Sequence, residues 1–149
     1  MNPKFLTLCL VLSTTMAYTQ TSFNQVNFSD SGSFFYQKGL TEKQNGRRLE
    51  SLKNFEKASN YDASNKAIVN ELASAYLDLR RYNNARETYK KLVELGEQTP
   101  ANYKELMILS FQLKQNDDVI MYANKLKELD PSEKVNYYIG KANLSLIHI

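Results

Sequence analysis

The sequence of 149 residues has little glycine and proline (5 and 3 residues), no tryptophan, and a single cysteine, Cys9. Scarce glycine and proline favour helices joined by short turns. Cys9 lies in an N-terminal segment that we expect to be removed, which leaves the mature chain without a thiol. Disulfides, thiolate chemistry and cysteine metal sites are therefore excluded, and the core alone has to stabilise the fold.

Residues suited to catalysis are equally scarce. The one histidine is His148, so no Ser/His/Asp or Cys/His set can be assembled, and no glycine-rich phosphate loop occurs. The carboxylates of Asp117, Asp118, Glu50 and Glu56 fall in a turn or on a polar helix face, where charge is normally solvated. We predict that the protein is not an enzyme and has no catalytic residue, cofactor or metal site.

The charge balance is close to neutral. The formal charge is +3, and it becomes +2, with 18 basic and 16 acidic residues, once Lys4 is removed. This excess is too small to indicate nucleic acid or an anionic membrane surface as a partner. Nearby carboxylates also balance the basic pairs Arg47–Arg48, Arg80–Arg81 and Lys90–Lys91. We predict no nucleic-acid partner.

Residues 1–19 are typical of a secretory signal. Lys4 supplies the positive start, Phe5–Leu12 is a short apolar run, and Ala17 and Thr19 place small residues near a cleavage site. The apolar run is too short to span a bilayer, which needs about 20 residues. The segment predicts export to the periplasm or cell envelope of a bacterium, with no membrane insertion after cleavage. The alternative is a buried N-terminal helix or an uncleaved anchor.

A period of 34 residues organises the rest of the chain. Four columns keep this spacing: Phe35, Val69, Tyr103 and Tyr137; Phe55, Tyr89 and Ala123; Ala58, Leu92 and Leu126; and Ser51, Ala85 and Val119. A repeat of this length, made of two short amphipathic helices, is typical of a helical solenoid. After a loose lead-in at 20–31, we predict a solenoid over 32–143, with repeats at 32–65, 66–99 and 100–133 and a partial repeat at 134–143.

The second repeat shows the two helices most clearly. Apolar residues at three-four spacing mark one stripe on each helix: Val69, Leu72, Ala73 and Tyr76, then Ala85, Tyr89, Leu92 and Val93. Gly96 is suited to end the second helix, and Thr99 to cap the next one, with Pro100 at its first position. Asp130, Pro131 and Glu133 follow the same capping logic, which predicts a further helix start there.

These residues resemble the tetratricopeptide repeat. Leu72–Ala73, Tyr76, Ala85 and Tyr89 match that family's order of bulky–small pair, aromatic, small residue and aromatic. The third repeat departs from it: Met107 stands where a small residue is usual, Ser110 and Ala123 where aromatics are. The resemblance covers about Gly32 to Asn143. It implies an all-α, right-handed helical-hairpin solenoid of three repeats plus one orphan helix.

The resemblance also implies a binding surface, because first helices in this family line a concave groove for peptides or protein segments. Matched by position, that groove would present Tyr36, Leu40, Lys43, Asn70, Ser74, Leu77, Lys104, Ile108 and Phe111. Family members that clamp a C-terminal carboxylate place Lys, Asn and Arg at positions that here hold Tyr36, Leu40, Glu71, Ala101 and Glu105. Two added carboxylates would repel such a ligand, so this clamp is expected to be absent.

We predict a non-catalytic scaffold module that binds a protein or peptide partner of unidentified sequence through this groove. One alternative is the N-terminal sensory or scaffolding region of a larger cell-envelope enzyme or receptor. Another is self-association, with a second copy filling the groove.

The last six residues, Leu144–Ile149, depart in composition from the rest. Four are large aliphatics, and the string is similar to the in-frame translation of a transposon adapter used in sequencing libraries. A solenoid also normally closes with a polar capping helix, because its last repeat otherwise exposes an apolar face. We therefore expect 144–149 to be non-native and the native chain to continue past Asn143. The alternative is a natural but unusual C-terminus.

Overall fold

The computed structural model describes residues 31–132 and 134–147. These residues form seven α-helices and no strand: α1 (Ser31–Gln44), α2 (Arg48–Tyr61), α3 (Lys66–Asp78), α4 (Tyr82–Glu94), α5 (Pro100–Gln112), α6 (Asn116–Leu129) and α7 (Asn136–Ile147). The predicted signal peptide at 1–19, nearly all of the lead-in at 20–31, and residues 148–149 of the tail lie outside the described residues. No helix in the described ranges has the length and apolar character needed to cross a membrane.

Each helix packs on the next one along the chain, which confirms the predicted all-α helical-hairpin solenoid. Three hairpins, α1–α2, α3–α4 and α5–α6, are followed by the orphan helix α7, which packs on α6. The main core runs through the second and third hairpins to α7; its fully buried members include Val69, Ala73, Ala85, Leu106, Val119, Ala123 and Leu126. Stacking buries apolar stripes that one hairpin alone would leave exposed.

The first hairpin depends on close contact between a glycine and an aromatic ring. Phe55 is fully buried on α2, and a Cβ at Gly39 on α1 would lie 2.6 Å from a Phe55 ring carbon. The Ser51 hydroxyl donates a hydrogen bond to the Gly39 carbonyl oxygen over 3.0 Å. Any side chain at Gly39 would therefore displace the ring that fills this hairpin.

The helix ends follow local sequence signals. The Thr99 hydroxyl accepts from the backbone N–H of Asn102, with Pro100 in the first turn of α5, as predicted. The Asn65 side chain accepts from the N–H groups of Ala67 and Ile68 at the start of α3. These caps satisfy backbone donors that have no partner inside the helix.

A left-handed residue lies two positions after the end of the first helix of every hairpin, and these residues recur every 34 positions. Gly46 has φ 73°, Arg80 56° and Lys114 58°. At Arg80, its own N–H and that of Arg81 donate to the carbonyls of Leu77 and Tyr76, the double bond of a Schellman turn. Two of the three turns therefore hold a side chain in a conformation that suits glycine.

We expect Arg80→Gly and Lys114→Gly each to raise the free energy of unfolding by about 0.5–1 kcal/mol, because relief of the left-handed conformation outweighs the added freedom of the unfolded chain. Urea denaturation followed by circular dichroism measures this gain. Gly46→Ala is the matched control and should lower stability. A lower midpoint for both glycine variants would show that the left-handed residues carry no strain.

The start of α7 corrects two expectations. The Asp130 carboxylate accepts from both the N–H and the hydroxyl of Ser132, which closes a turn, so α7 begins only at Asn136 and not at Pro131. Val135 just before α7 and Ala142 within it mark the buried side (1% and 0% exposed), whereas Tyr137 is 62% exposed. The expected equivalence of Tyr137 to the buried Val69 and Tyr103 is therefore wrong.

The spacing of buried residues explains why the position of Tyr137 was predicted wrongly. Ala75, Leu109 and Ala142 are buried at equivalent positions of α3, α5 and α7, at intervals of 34 and then 33 residues. The fourth repeat is therefore one residue out of phase with the sequence period, and the turn at Asp130 lies in the connection where the phase changes.

Candidate partner-binding groove

The nine side chains predicted from the family resemblance lie on the first helices of the three hairpins, and we call them the groove surface. They belong to α1 (Tyr36, Leu40, Lys43), α3 (Asn70, Ser74, Leu77) and α5 (Lys104, Ile108, Phe111). None is fully buried: Lys43, Asn70 and Lys104 are exposed and the other six are half-buried. All nine are therefore accessible from outside.

Two groove residues from neighbouring hairpins are in contact. Lys43 Nζ lies 2.8 Å from the Glu71 carboxylate and 3.5 Å from the Ser74 hydroxyl. This contact joins α1 directly to α3. The Lys43 side chain is 40% exposed, so the ion pair contributes little stability, but the carboxylate largely neutralises the Lys43 charge.

The apolar members of the groove surface are anchored on the core while keeping an exposed edge. The Tyr36 ring lies 6.0 Å from the ring of Phe55, and Leu77, Ile108 and Phe111 pack against the main core. Such rigidly held, half-exposed side chains are suited to bury apolar groups of a partner.

The groove surface extends onto α7 through residues that the sequence period misassigned. The Phe111 and Tyr138 rings meet edge to face at 5.4 Å across 27 residues, the counterpart of the Lys43–Glu71 contact across 28 residues. With this phase, Tyr137, Lys141 and Leu144 become equivalent to Asn70, Ser74 and Leu77, and all three are exposed.

One sequence signal could have revealed this phase. Ile139–Gly140 is a bulky–small pair like Leu72–Ala73. The spacing between the two pairs is one residue less than two full periods of 34 residues. The Lys141 ammonium lies 5.9 Å from the Tyr137 ring centroid, so the two side chains share one surface. A search for the pair rather than for the column of Phe35 would have placed α7 correctly.

Tyr89, a core residue of α4, is an ionisable side chain that is largely buried. The side chain is 7% exposed. In the described ranges the buried side-chain polar atoms without a hydrogen-bond partner are Arg86 Nε and Ser110 Oγ, and the Tyr89 hydroxyl is not one of them. Burial, together with the charges of Glu105, Asp78 and Glu71, raises the pKa of Tyr89 to about 12.

Two surface depressions lie outside the middle of the groove. One of about 250 Å³ is lined by Asn70 and by Lys66, Ala67, Leu92, Glu97 and Asn102. The other, of about 390 Å³, lies between the second helices α2 and α4 and was not predicted; its lining includes Tyr76, Asn84 and Thr88. In the next repeat Tyr122 replaces Thr88 and is 7% exposed, so a large ring occupies the corresponding space.

Glu56, one of the carboxylates considered in the sequence, takes part in a contact between two helices. Within 31–132 and 134–147, no three His, Cys, Asp or Glu side chains are grouped so as to hold a metal ion. The Tyr76 hydroxyl donates a hydrogen bond to the Glu56 carboxylate over 2.9 Å, so that acidic group serves a contact between α3 and α2.

Comparison with known proteins gives matches for one repeat and for the fold. Residues 67–98, the second hairpin, match the family model of the tetratricopeptide repeat. No curated protein sequence matches the chain.

Several solved structures are similar in fold. The first tetratricopeptide domain of Spaghetti (RPAP3), bound to the HSP90 peptide SRMEEVD, is 20% identical with a TM-score of 0.63, over 80% of this chain and 95% of that one. YrrB, a tetratricopeptide protein described as having an unusual peptide-binding site, is 16% identical with a TM-score of 0.61, over 72% and 56%. MamA from Desulfovibrio magneticus RS-1 is 19% identical with a TM-score of 0.64, over 76% and 65%. The chain thus spans less than two thirds of the last two. At these identities the likeness shows the fold alone.

Proposed function

We propose that this tetratricopeptide-like solenoid is a non-catalytic module that binds a segment of a partner protein along the groove surface. The observation that carries the proposal is the row of half-exposed apolar side chains on successive first helices, continued by α7. Two proteins of similar fold are described as peptide-binding, one of them in complex with an HSP90 peptide.

Different groove residues are suited to different tasks in such binding. Tyr36, Leu77 and Phe111 can bury apolar groups of the partner, which supplies most of the affinity. Asn70 and Lys104 are exposed and polar, so they can orient the partner backbone or its side chains.

The groove surface does not suit a ligand that ends in acidic residues. Glu71 and Glu105 stand where a carboxylate clamp needs donors, and Lys43 is already paired with Glu71. An acidic C-terminus would meet repulsion there. We therefore expect a partner segment different from SRMEEVD.

Changing Tyr36, Leu77 and Lys104 together to alanine is expected to weaken partner binding by about 30- to 700-fold, because about 1–2 kcal/mol is lost at each of the two apolar anchors. A pull-down from a periplasmic extract with wild type and variant, read by quantitative mass spectrometry, identifies proteins that depend on the groove.

The matched control carries Tyr61→Ala, Leu129→Ala and Lys53→Ala, the same residue types at exposed positions of the second helices α2 and α6. It should retain the proteins that the groove variant loses. If both variants capture the same set as wild type, the groove is not the binding surface.

The cellular setting is a further proposal. Export to the periplasm or cell envelope of a bacterium is supported by residues 1–19, which lie outside the described residues. A role as the N-terminal part of a larger envelope enzyme or receptor is the alternative to a stand-alone scaffold. Self-association through the groove would appear as a concentration-dependent mass in light scattering.

A further inference from the structure

We propose that the depression of about 390 Å³ between α2 and α4 is a second binding site, which receives a tyrosine side chain of a partner protein. The residue beside that tyrosine in the partner is acidic. The rim of this depression lies on the second helices, whereas the groove surface belongs to the first helices. The inference therefore does not depend on binding in the groove.

The depression, which we call the interhelix pocket, has an apolar floor. Val69 and Leu72 of α3 line it and are buried, and the Tyr76 ring forms part of its wall. The Tyr76 hydroxyl donates to the Glu56 carboxylate of α2 over 2.9 Å, which holds this ring towards α2. Thr88 of α4 lines the pocket with a short side chain and leaves the space open. Ligand pockets typically have such an apolar interior with a few polar groups.

The next repeat shows which side chain fits this space. Tyr122 lies 34 positions after Thr88 and is 7% exposed. Its ring centroid lies 6.3 Å from that of Tyr103, which is the equivalent of the floor residue Val69. The same fold therefore buries a tyrosine ring between α4 and α6 at the position that stays open between α2 and α4.

The volume of the pocket is sufficient for a ring from another molecule. A cavity of about 150 Å³ binds benzene, so about 390 Å³ holds a phenol ring together with part of the adjoining backbone. Contact of the ring with Val69 and Leu72 would remove apolar surface from water, which favours binding. An aromatic side chain in a preformed pocket is also a frequent centre of binding energy in protein interfaces.

Polar groups at the rim favour tyrosine over phenylalanine. Asn83 and Asn84 line the pocket at the start of α4 and are exposed, so their amides can form hydrogen bonds with a phenol hydroxyl. The Thr88 hydroxyl donates to the Asn84 carbonyl oxygen over 2.7 Å, and its own oxygen can still accept a hydrogen bond.

The charge of Lys91 indicates the acidic neighbour. Lys91 lines the pocket, is half-buried and forms no ion pair with any residue of the described ranges, whereas Glu87 at the same rim is paired with Lys90. In the next repeat the equivalent Lys125 is paired with Glu128 over 3.0 Å. A carboxylate beside the partner tyrosine would pair with Lys91, so charge complementarity adds specificity to the burial of the ring.

Titration of the full chain with p-cresol, the side-chain analogue of tyrosine, tests the pocket by NMR. Shifts are expected at the amides of Leu72, Tyr76 and Thr88, with a dissociation constant of about 1 mM, which is usual for so small a ligand. Thr88→Tyr copies the next repeat and should weaken p-cresol binding by about tenfold or more without lowering the melting temperature, because its ring fills the space. Thr88→Leu fills less of it and should weaken binding by about threefold, which keeps the test valid if the larger ring disturbs the fold.

Thr41→Tyr is the matched control for the added ring. Thr41 is exposed on α1, and its hydroxyl donates to the carbonyl four residues earlier, as that of Thr88 does. This variant should bind p-cresol as wild type does.

Selection of dodecapeptides displayed on phage extends the test to protein segments. Peptides that bind wild type and the Thr41→Tyr variant, and not the Thr88→Tyr variant, should be enriched in tyrosine beside Asp or Glu. Lys91→Gln should weaken such a peptide by about threefold, whereas Lys127→Gln, at an exposed position of α6, should leave its affinity unchanged.

Each contrary outcome contradicts a defined part. Equal binding of p-cresol by wild type and Thr88→Tyr, or no shift at the pocket amides, would overturn the site. Selected peptides without tyrosine, or equal effects of Lys91→Gln and Lys127→Gln, would overturn the partner chemistry.

Two other occupants would also overturn the proposal. If Phe23→Ser with Phe28→Ser raises the affinity for p-cresol severalfold, the chain's own residues 20–30 compete for the pocket. If Thr88→Tyr abolishes a concentration-dependent mass in light scattering, a second copy of the chain occupies it.

Discussion

Phe55→Ala is expected to lower the free energy of unfolding of the first hairpin by about 3–5 kcal/mol. The ring is fully buried and belongs to a cluster with Leu52, Leu72 and Ala75, so its removal leaves a cavity between two hairpins. Stability in a stacked solenoid is a sum over repeats and their interfaces, so the first hairpin should unfold before the rest. Urea denaturation with a fluorescent label on α1 follows that hairpin separately from the circular dichroism of the whole chain.

The close approach of Gly39 to the Phe55 ring allows a second test of the packing in the first hairpin. Gly39→Ala alone should cost about 1–3 kcal/mol, because its new Cβ would lie 2.6 Å from a Phe55 ring carbon. In the Phe55→Ala background the clash is gone and alanine stabilises the helix by about 1 kcal/mol. Gly39→Ala should therefore change from destabilising to stabilising. Additive effects in the double variant would show that the contact does not limit packing.

Asp118→Ala is expected to destabilise the protein by about 2–3 kcal/mol, although it changes a partly exposed side chain. Asp118 accepts from an Nη of Arg86, which joins α6 to α4, and the Arg86 side chain is 13% exposed. The second Nη lies 2.8 Å from Glu87, and Nε is buried without a partner in the described ranges. Loss of Asp118 leaves a largely buried guanidinium with one ion pair.

A double variant tests whether the loss of stability comes from the Arg86 charge that Asp118 no longer pairs with. Arg86→Met combined with Asp118→Ala should recover most of the lost stability, since the uncompensated charge is removed along with its partner. Glu128→Ala serves as control, because the Lys125–Glu128 pair is exposed and should contribute less than about 0.5 kcal/mol. Equal losses from Asp118→Ala and Glu128→Ala would mean that burial of Arg86 has no energetic consequence.

The repeat period predicted the fold because many positions contribute to it, although each position alone carries little information. The buried stripes of α3 and α4, the cap at Thr99 and the turn at Gly96 all follow from local residue chemistry that the sequence displays. Hairpin stacking then follows, because each amphipathic helix can bury its apolar side only on a neighbour.

The candidate site was predicted only in part. The nine groove residues come from the family resemblance, and whether they bind a partner stays a prediction. The environment of the Tyr89 hydroxyl depends on side chains from α3 and α5, which no local pattern brings together. The place of Tyr137 was mistaken because one column was extended across a connection where the phase changes.

The change of phase before α7 has a consequence for how such surfaces diversify. An α-helix turns by about 100° for each residue, so a shift of one residue in phase rotates the face that the next helix presents. The buried contacts tolerate this rotation because Val135 and Ala142 still pack into the main core, while Tyr137 and Leu144 are brought onto the exposed surface. A shift of one residue in phase can thus exchange a whole set of outward side chains without a single substitution in the helix itself.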